Sequence, residues 1–272
     1  MSDKLIDIDH LIEGKNPKLK KWLPKFVVRY IKRIIHQEEV NDFILKNKDA
    51  KNEAFCQAVI NKFNITVKVK GLENLPQEGG FIAACNHPLG GMDAMALVVA
   101  LHEKRKDIKF IVNDLLLHLE NLKGMFQGVN KHGRNSQDSL KQVDNLFATD
   151  NAVFVFPAGL VSRKINGKVK DLEWKKTFIS RAIKYQKNVV PIHIEGQLSN
   201  FFYRLAKLRS FIGIKANIEM FYLVDEMFKQ HNKEIRITIG KPIPHETFDN
   251  SLSHHDWAQW VREEVYLLNN ID

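Results

Sequence analysis

His87 and Asp93 are the residues of this chain best suited to chemistry. His87 stands just past a short apolar run, Gly80-Phe-Ile-Ala-Ala-Cys85, and five residues, Pro-Leu-Gly-Gly-Met, separate it from Asp93. An imidazole held through one nitrogen by a carboxylate can take a proton from a hydroxyl or amine with the other. Gly90-Gly91 supplies the backbone freedom to fold the two side chains toward each other. Taken singly, a histidine at a strand end is more often structural, and Asp93 also suits a helix N-cap; the combination makes a site. A second loop, Phe156-Pro-Ala-Gly159-Leu-Val-Ser162-Arg163-Lys164, places a Pro-x-Gly turn, a hydroxyl and two cations after another apolar run. Backbone N–H groups near Gly159, with Ser162, Arg163 and Lys164, suit a phosphate or carboxylate.

Other reactive side chains carry less. Cys85 lies two residues from His87, and a Cys/His pair could form an acyl-enzyme, but its place at the end of an apolar run reads as a buried structural cysteine. His193 and Glu195 share one strand face without a third ligand, and His254-His255 precede Asp256 at a helix start. No metal site is expected from these spacings.

The elements that must position these loops alternate along the chain. Ile65–Lys70 alternates apolar and polar residues and predicts a half-buried strand. Short apolar runs predict buried strands at 80–85 and 152–156, with further strands at 108–113 and 189–194 and near 218–222 and 234–239. Helical spacing predicts helices over 51–63, 94–103, 136–148, 173–185, 198–208 and 257–268. The pattern is that of an α/β fold: a mostly buried central mixed sheet flanked by helices, with chemistry in the loops at the strand ends. Before it, 16–36 carries an apolar stripe (Leu19, Trp22, Phe26, Tyr30, Ile34) opposite Lys18, Lys21, Lys25, Arg29 and Lys32, with a break expected at Pro24. Such a helix suits either packing on its own domain or lying on an anionic bilayer. The expected division is 1–63 as an N-terminal helical, membrane-contacting segment and 64–272 as the catalytic domain.

The 272 residues are 44% hydrophobic, enough for one large core. The formal net charge of +9 favours acidic partners: anionic lipid, phosphorylated substrates, an acidic carrier protein or nucleic acid. No helix-turn-helix, aromatic RNA-binding motif or zinc finger supports the last, so nucleic acid is not expected. Met1-Ser2-Asp3-Lys4 lacks the apolar core of a signal peptide, and no window reaches a spanning helix, so membrane contact is expected to be peripheral.

Four ordered blocks resemble the PlsC-like glycerolipid acyltransferases of the lysophospholipid acyltransferase superfamily: Asn86-His87…Asp93, Gly128…Arg134, Phe156-Pro157-Ala158-Gly159 and Val190-Pro191-Ile192. The likeness spans roughly 67–244. Phe156-Pro-Ala-Gly-Leu-Val-Ser-Arg163, Asp171…Trp174, Leu198-Ser-Asn-Phe-Phe-Tyr203 and the 232–243 segment are closer to the hemolysin-like branch, which includes acyltransferases of ornithine and glycine lipids. Two departures stand out: one residue more than usual separates His87 from Asp93, and Ala158 replaces the usual glutamate.

The resemblance implies a glycerol-3-phosphate acyltransferase-like fold. It also implies transfer of an acyl chain from an acyl thioester, on acyl carrier protein or coenzyme A, to the hydroxyl or amine of a lysolipid or lipo-amino acid. His87 would be the general base and Asp93 its partner. Asn86, Gly128, Arg134, Phe156, Pro157, Gly159, Ser162, Arg163 and Lys164 would bind substrate. No metal or redox cofactor is implied; the thioester is a co-substrate. The implied location is cytoplasmic, peripheral on the inner face of the cell membrane, with lipid acceptor and anionic bilayer as partners. Two rivals remain: a thioesterase or lipid hydrolase, against which the missing Gly-x-Ser-x-Gly elbow counts, and a non-catalytic lipid-binding homologue, which Ala158 and the wider His–Asp spacing would fit.

Overall fold

The computed structural model describes residues 6–9, 13, 23–113, 119–129 and 136–270. In chain order, helices α1 (Lys25–Ile34), α2 (Gln37–Lys46) and α3 (Glu53–Lys62) lead into β1 (Thr66–Lys70) and β2 (Phe81–Cys85). Then come α4 (Gly91–Leu101), β3 (Ile108–Asn113), β4 (Phe126–Val129), α5 (Ser136–Phe147) and β5 (Ala152–Val155). A hairpin of β6 (Arg163–Ile165) and β7 (Lys168–Lys170) is followed by α6 (Thr177–Tyr185) and β8 (Val189–Ile194). Helices α7 (Asn200–Phe211) and α8 (Leu223–Phe228), strand β9 (Glu234–Ile239) and helix α9 (His254–Leu267) complete the chain.

These elements form two compact units. The larger comprises Lys51–Gln197 and Asn232–Asp272, and the smaller Met1–Ala50 and Leu198–His231. The N-terminal helices of 1–63 are thus shared: α1 and α2 belong to the smaller unit with α7 and α8, and α3 to the larger.

The larger unit is built on a seven-stranded sheet of order β1-β9-β8-β2-β5-β3-β4. All its ladders are parallel except β8 with β9. This is the α/β class with a central mixed sheet that the sequence predicts, and most of its ladders are parallel. Every residue of β2, β5 and β8 is buried, as expected of central parallel strands, whereas β1 at one edge is nowhere fully buried. Against one face α6 and α9 pack Phe178, Ile179, Trp257, Val261 and Val265 onto Ile82, Ala84, Val153 and Val155. Each large apolar side chain buried this way contributes about 1.5–3 kcal/mol. Helix α4 packs against α3 and β1 and is buried at nearly all its positions, which leaves its one carboxylate, Asp93, inside the protein.

The parallel register brings the ends of β2, β5 and β8 to one edge of the sheet. Ala84 pairs with Val155, and Cys85 with Ile192. The loops that follow these strands therefore converge.

Three elements depart from expectation. Ile218–Tyr222 is a 3-10 turn running into α8, not a strand. Its one buried residue, Glu219, pairs with Arg209 at 2.8 Å, and the i+3 hydrogen bond from Met220 N to Asn217 O replaces a ladder. The β6–β7 hairpin was not expected, although its turn is Asn166-Gly167, both at positive φ (49° and 79°), a sequence suited to a two-residue hairpin. Strand β4, only four residues with Gln127-Gly128 inside, carries no alternation that would show it. The expected helix 16–36 is described only from Lys25, just after Pro24.

Candidate active site

Asn86 opens the loop after β2 and fastens it to β8. Its amide donates to Ile194 O at 2.8 Å and accepts from Ile194 N at 2.6 Å, fully committing a buried side chain to backbone. Gly90 then takes φ 71°, ψ −134°, a conformation that suits glycine alone. It N-caps α4 without a side chain and turns the chain so that Asp93, in the first helical turn, reaches back.

His87 Nδ1 lies 2.9 Å from Asp93 Oδ2, and the same oxygen accepts Leu89 N–H at 2.9 Å. Asp93 is fully buried, and its other oxygen has no hydrogen-bond partner among the described residues. Burial pushes its carboxyl above the usual carboxylate range, and the His87 and Leu89 contacts pull the other way. The imidazole stacks on Phe156, with ring centroids 4.1 Å apart, and Phe156 stacks in turn on Phe110. His87 Nε2 makes no hydrogen bond among the described residues, and the side chain keeps 18% of its surface open. One ring nitrogen is anchored and the other is presented to solvent, the arrangement a general base needs.

A second carboxylate holds the backbone of the same loop. Asp171 is fully buried and accepts from His87 N at 3.1 Å, Ser162 Oγ at 2.6 Å and Trp174 Nε1 at 2.8 Å. Burial raises its pKa, and these donors and His87 oppose the shift. Ser162 N also donates to His87 O at 2.8 Å. Helix α9 fixes the Asp171 segment from one face, at i, i+3 and i+7. Gln259 bonds Trp174 O, Arg262 bonds Asp171 O, and Tyr266 Oη accepts Asp171 N–H.

The structure therefore brings Asn86, His87, Asp93, Phe156 and Ser162 together. Pro157 is buried, and Gly159, at φ 68°, closes a turn onto Phe156 O. Ala158 belongs to the apolar cluster with Trp174 and Phe178, so a glutamate there would place its charge in the core. Ser162 commits its proton to Asp171. Arg163 is buried and donates to Val161 O at 2.6 Å, while Lys164 is exposed on β6. Gly128 lies in β4, separated from β2 by two strands, and Arg134 lies outside the described residues. Cys85 is fully buried, and burial, Asp93 and Asp171 all raise its pKa, which opposes a thiolate nucleophile. Asp171 as a hub, with Gln259, Arg262 and Tyr266 behind it, was not read from sequence as part of the site. The available signals were the Asp171…Trp174 pair quoted above for the family resemblance and the spacing of those three polar residues along one face of α9.

A mostly parallel α/β sheet with a His–Asp pair on a loop at its strand ends is an arrangement suited to transferases and hydrolases. The acyltransferase family profile matches residues 10–272, and the chain belongs to that family and is an acyltransferase. It is 46% identical over 266 residues to a lyso-glycine lipid O-acyltransferase of Bacteroides thetaiotaomicron, covering 97% of each chain. It is 45% identical over 265 residues to a protein of the same name from Phocaeicola vulgatus, covering 97% of this chain and 95% of that one. The crystal structure of the 1-acyl-sn-glycerophosphate acyltransferase PlsC from Thermotoga maritima superposes with a TM-score of 0.50 at 19% identity, over 97% of this chain and 92% of that one, a likeness of fold.

Proposed function

We propose that this enzyme transfers an acyl chain from an acyl thioester to the hydroxyl of a lyso-glycine lipid at a membrane surface, with His87 as general base. The acceptor class follows the two relatives' names. Glycine has no hydroxyl, so the accepting oxygen is carried by the chain already attached to it. That hydroxyl donates to His87 Nε2. As its oxygen attacks the thioester carbonyl, His87 takes the proton, and Asp93 stabilises the imidazolium through Nδ1. N–H groups of the Gly90-Gly91 turn stabilise the tetrahedral oxyanion. The C–S bond breaks, the imidazolium returns its proton to the departing thiolate, and an ester is left. Carrier protein and coenzyme A both present an acidic thioester to a chain of net charge +9. Lys164 and Arg134 are assigned to anionic groups on the substrates.

The observation that carries this reading is the 2.9 Å His87–Asp93 contact with Nε2 left open. Membrane-surface action is supported by the smaller unit, where Phe26 is 71% exposed, Phe211 87% and Ile212 57%, beside exposed Lys25, Arg29 and Lys207. No helix among the described residues is long and apolar enough to cross a membrane. The reading places the enzyme on the cytoplasmic face.

The test is acyl transfer from labelled acyl carrier protein or acyl-CoA to an N-(hydroxyacyl)glycine on anionic vesicles. The wild type should yield the ester and sediment with the vesicles, and His87→Ala should lose roughly 10²- to 10⁴-fold in rate. Release of free fatty acid with no ester would make the protein a hydrolase. Full activity of His87→Ala would remove the histidine from the mechanism.

A further inference from the structure

A cavity of about 670 Å³ opens beside the His87 loop, lined by Asn86 and Pro88 on either side of the histidine and by Lys168, Lys170, His193 and Tyr266. Its volume is that of a small-molecule site. We propose that this cavity binds the headgroup of an N-acyl amino acid acceptor, its carboxylate held by Lys168 and Lys170 and its amide facing His193. This rests on the acyltransfer reading above and adds where the acceptor's polar end lies.

The walls argue for an anion. Two carboxylates, Glu195 and Glu263, line the cavity, but each has a cation from outside the lining: Arg236 at 3.3 Å from Glu195 and Arg262 at 2.8 Å from Glu263, which Lys170 also approaches at 3.3 Å. Lys168 has no ion pair among the described residues, so the wall has a positive charge to spare. The back of the cavity argues for a neutral polar group. His193 is 6% exposed, lines the cavity and makes no hydrogen bond among the described residues. Its contact there is the edge-on Tyr266 ring, with centroids 5.7 Å apart. Burial lowers its pKa to about 4, so at neutral pH it is an uncharged imidazole with one donor and one acceptor. A buried polar group without a partner calls for one from a ligand or water. An amide beside a carboxylate, as in an N-acylglycine, supplies both chemistries with no side chain to accommodate.

The site is also joined to the catalytic loop. Tyr266 Oη accepts from Asp171 N, and the Asp171 carboxylate accepts from His87 N. Asn86, in the cavity wall, is the residue before His87. Pro88, also in the wall, is the residue after it, so the headgroup site lies against the chain segment that carries the histidine.

Calorimetric titration of the full chain with N-decanoylglycine, which has no hydroxyl to acylate, tests the site, with its methyl ester as the uncharged control. The wild type and His87→Ala should both bind the acid about tenfold or more tighter than the ester, the scale of a charge-assisted contact. Lys168→Met, at an exposed position that leaves the fold intact, should abolish that preference. His193→Gln should weaken acid and ester alike. Equal binding of acid and ester by the wild type, or an undiminished preference in Lys168→Met, would overturn the proposal. So would a Lys168→Met enzyme whose only change is a higher KM for the thioester donor, since the anion held would then be the donor's phosphate. The two readings fail separately. A protein that binds N-decanoylglycine through Lys168 but transfers nothing keeps the site and loses the activity. One that makes ester with an acceptor KM indifferent to Lys168 keeps the activity and loses the site.

Discussion

Asp93 and Asp171 are both fully buried carboxylates bonded to the same histidine, one through its ring and the other through its backbone. Their surroundings differ. Asp171 accepts from three donors distributed over both oxygens, and its own backbone N–H and C=O are taken up by Tyr266 and Arg262. Asp93 receives its two donors on a single oxygen, and the other has no partner among the described residues. The fold satisfies the carboxylate that holds the loop backbone and leaves incompletely satisfied the one that faces the His87 ring, the pattern expected if Asp93 serves the general base proposed above.

The comparison is tested most strongly by Asp93→Asn. Its amide oxygen can still accept from Leu89 and His87, so the geometry survives, but no negative charge stabilises the imidazolium. The transfer rate should fall roughly 10²- to 10⁴-fold. Thermal stability should be unchanged or higher, because a neutral amide is cheaper to bury than a carboxylate with an unpartnered oxygen. A thermal scan showing clear destabilisation would mean Asp93 is structural after all.

Asp171→Asn should behave in the opposite sense. An amide cannot accept from His87 N and Ser162 on one side and from Trp174 Nε1 on the other, because its NH₂ meets a donor. A cost of about 1–3 kcal/mol is expected, seen as a melting midpoint lower by several degrees. The rate loss should lie in kcat rather than in the acceptor KM. Adding Trp174→Phe removes the donor–donor clash, so the double variant should be more stable than the sum of its parts predicts. Strict additivity would show that the Trp174 contact is not where Asp171 does its work.

Acid pH sharpens the contrast further. Burial raises both carboxyl pKa values, so between the unfolded value near 3.8 and the raised folded value the native state binds more protons than the unfolded chain. Stability therefore falls as pH rises through that window and is level above it, each group contributing a slope of up to about 1.4 kcal/mol per pH unit. Either Asn variant should flatten denaturant-measured stability across the window. Activity should respond to Asp93, with an acid limb lying above the ordinary carboxylate range.

How much of this was legible depends on sequence distance. His87 and Asp93 lie in one loop, with two glycines to turn it, and the pair could be read from spacing alone. The central strands could be read as well, because residues buried on both faces of a parallel sheet form unbroken apolar runs. Asp171 could not: it meets His87 across 84 residues and Tyr266 across 95, contacts that only the converging strand ends and α9 create. The stacking of Phe156 on His87 was hidden for the same reason, since it follows from β2 and β5 being neighbours. Ser162 and Arg163 were read as substrate-binding groups from residue type alone; their burial, and the bonds to Asp171 and Val161 O, could not be read from sequence. Ala158 looked like a lost carboxylate and is a core residue. Ile218–Tyr222 misled because five residues are too few to tell a strand from a single helical turn.

The smallest expected effect asks whether α9 sets the position of Asp171. Tyr266→Phe keeps the ring and its edge contact with His193 and removes only the oxygen that accepts Asp171 N–H. Losing one such bond should cost about 1 kcal/mol. If Tyr266 only contributes to packing, kcat should hold while stability drops. If it helps to position the histidine through Asp171, kcat should fall a few-fold in Tyr266→Phe, and the substitution should add nothing further to an Asp171→Asn enzyme, in which the chain of contacts from α9 to His87 is already broken. Independent, multiplying losses in the double variant would disconnect Tyr266 from the His87 loop and leave Asp171 as a hub held in place by Ser162, Trp174 and Arg262.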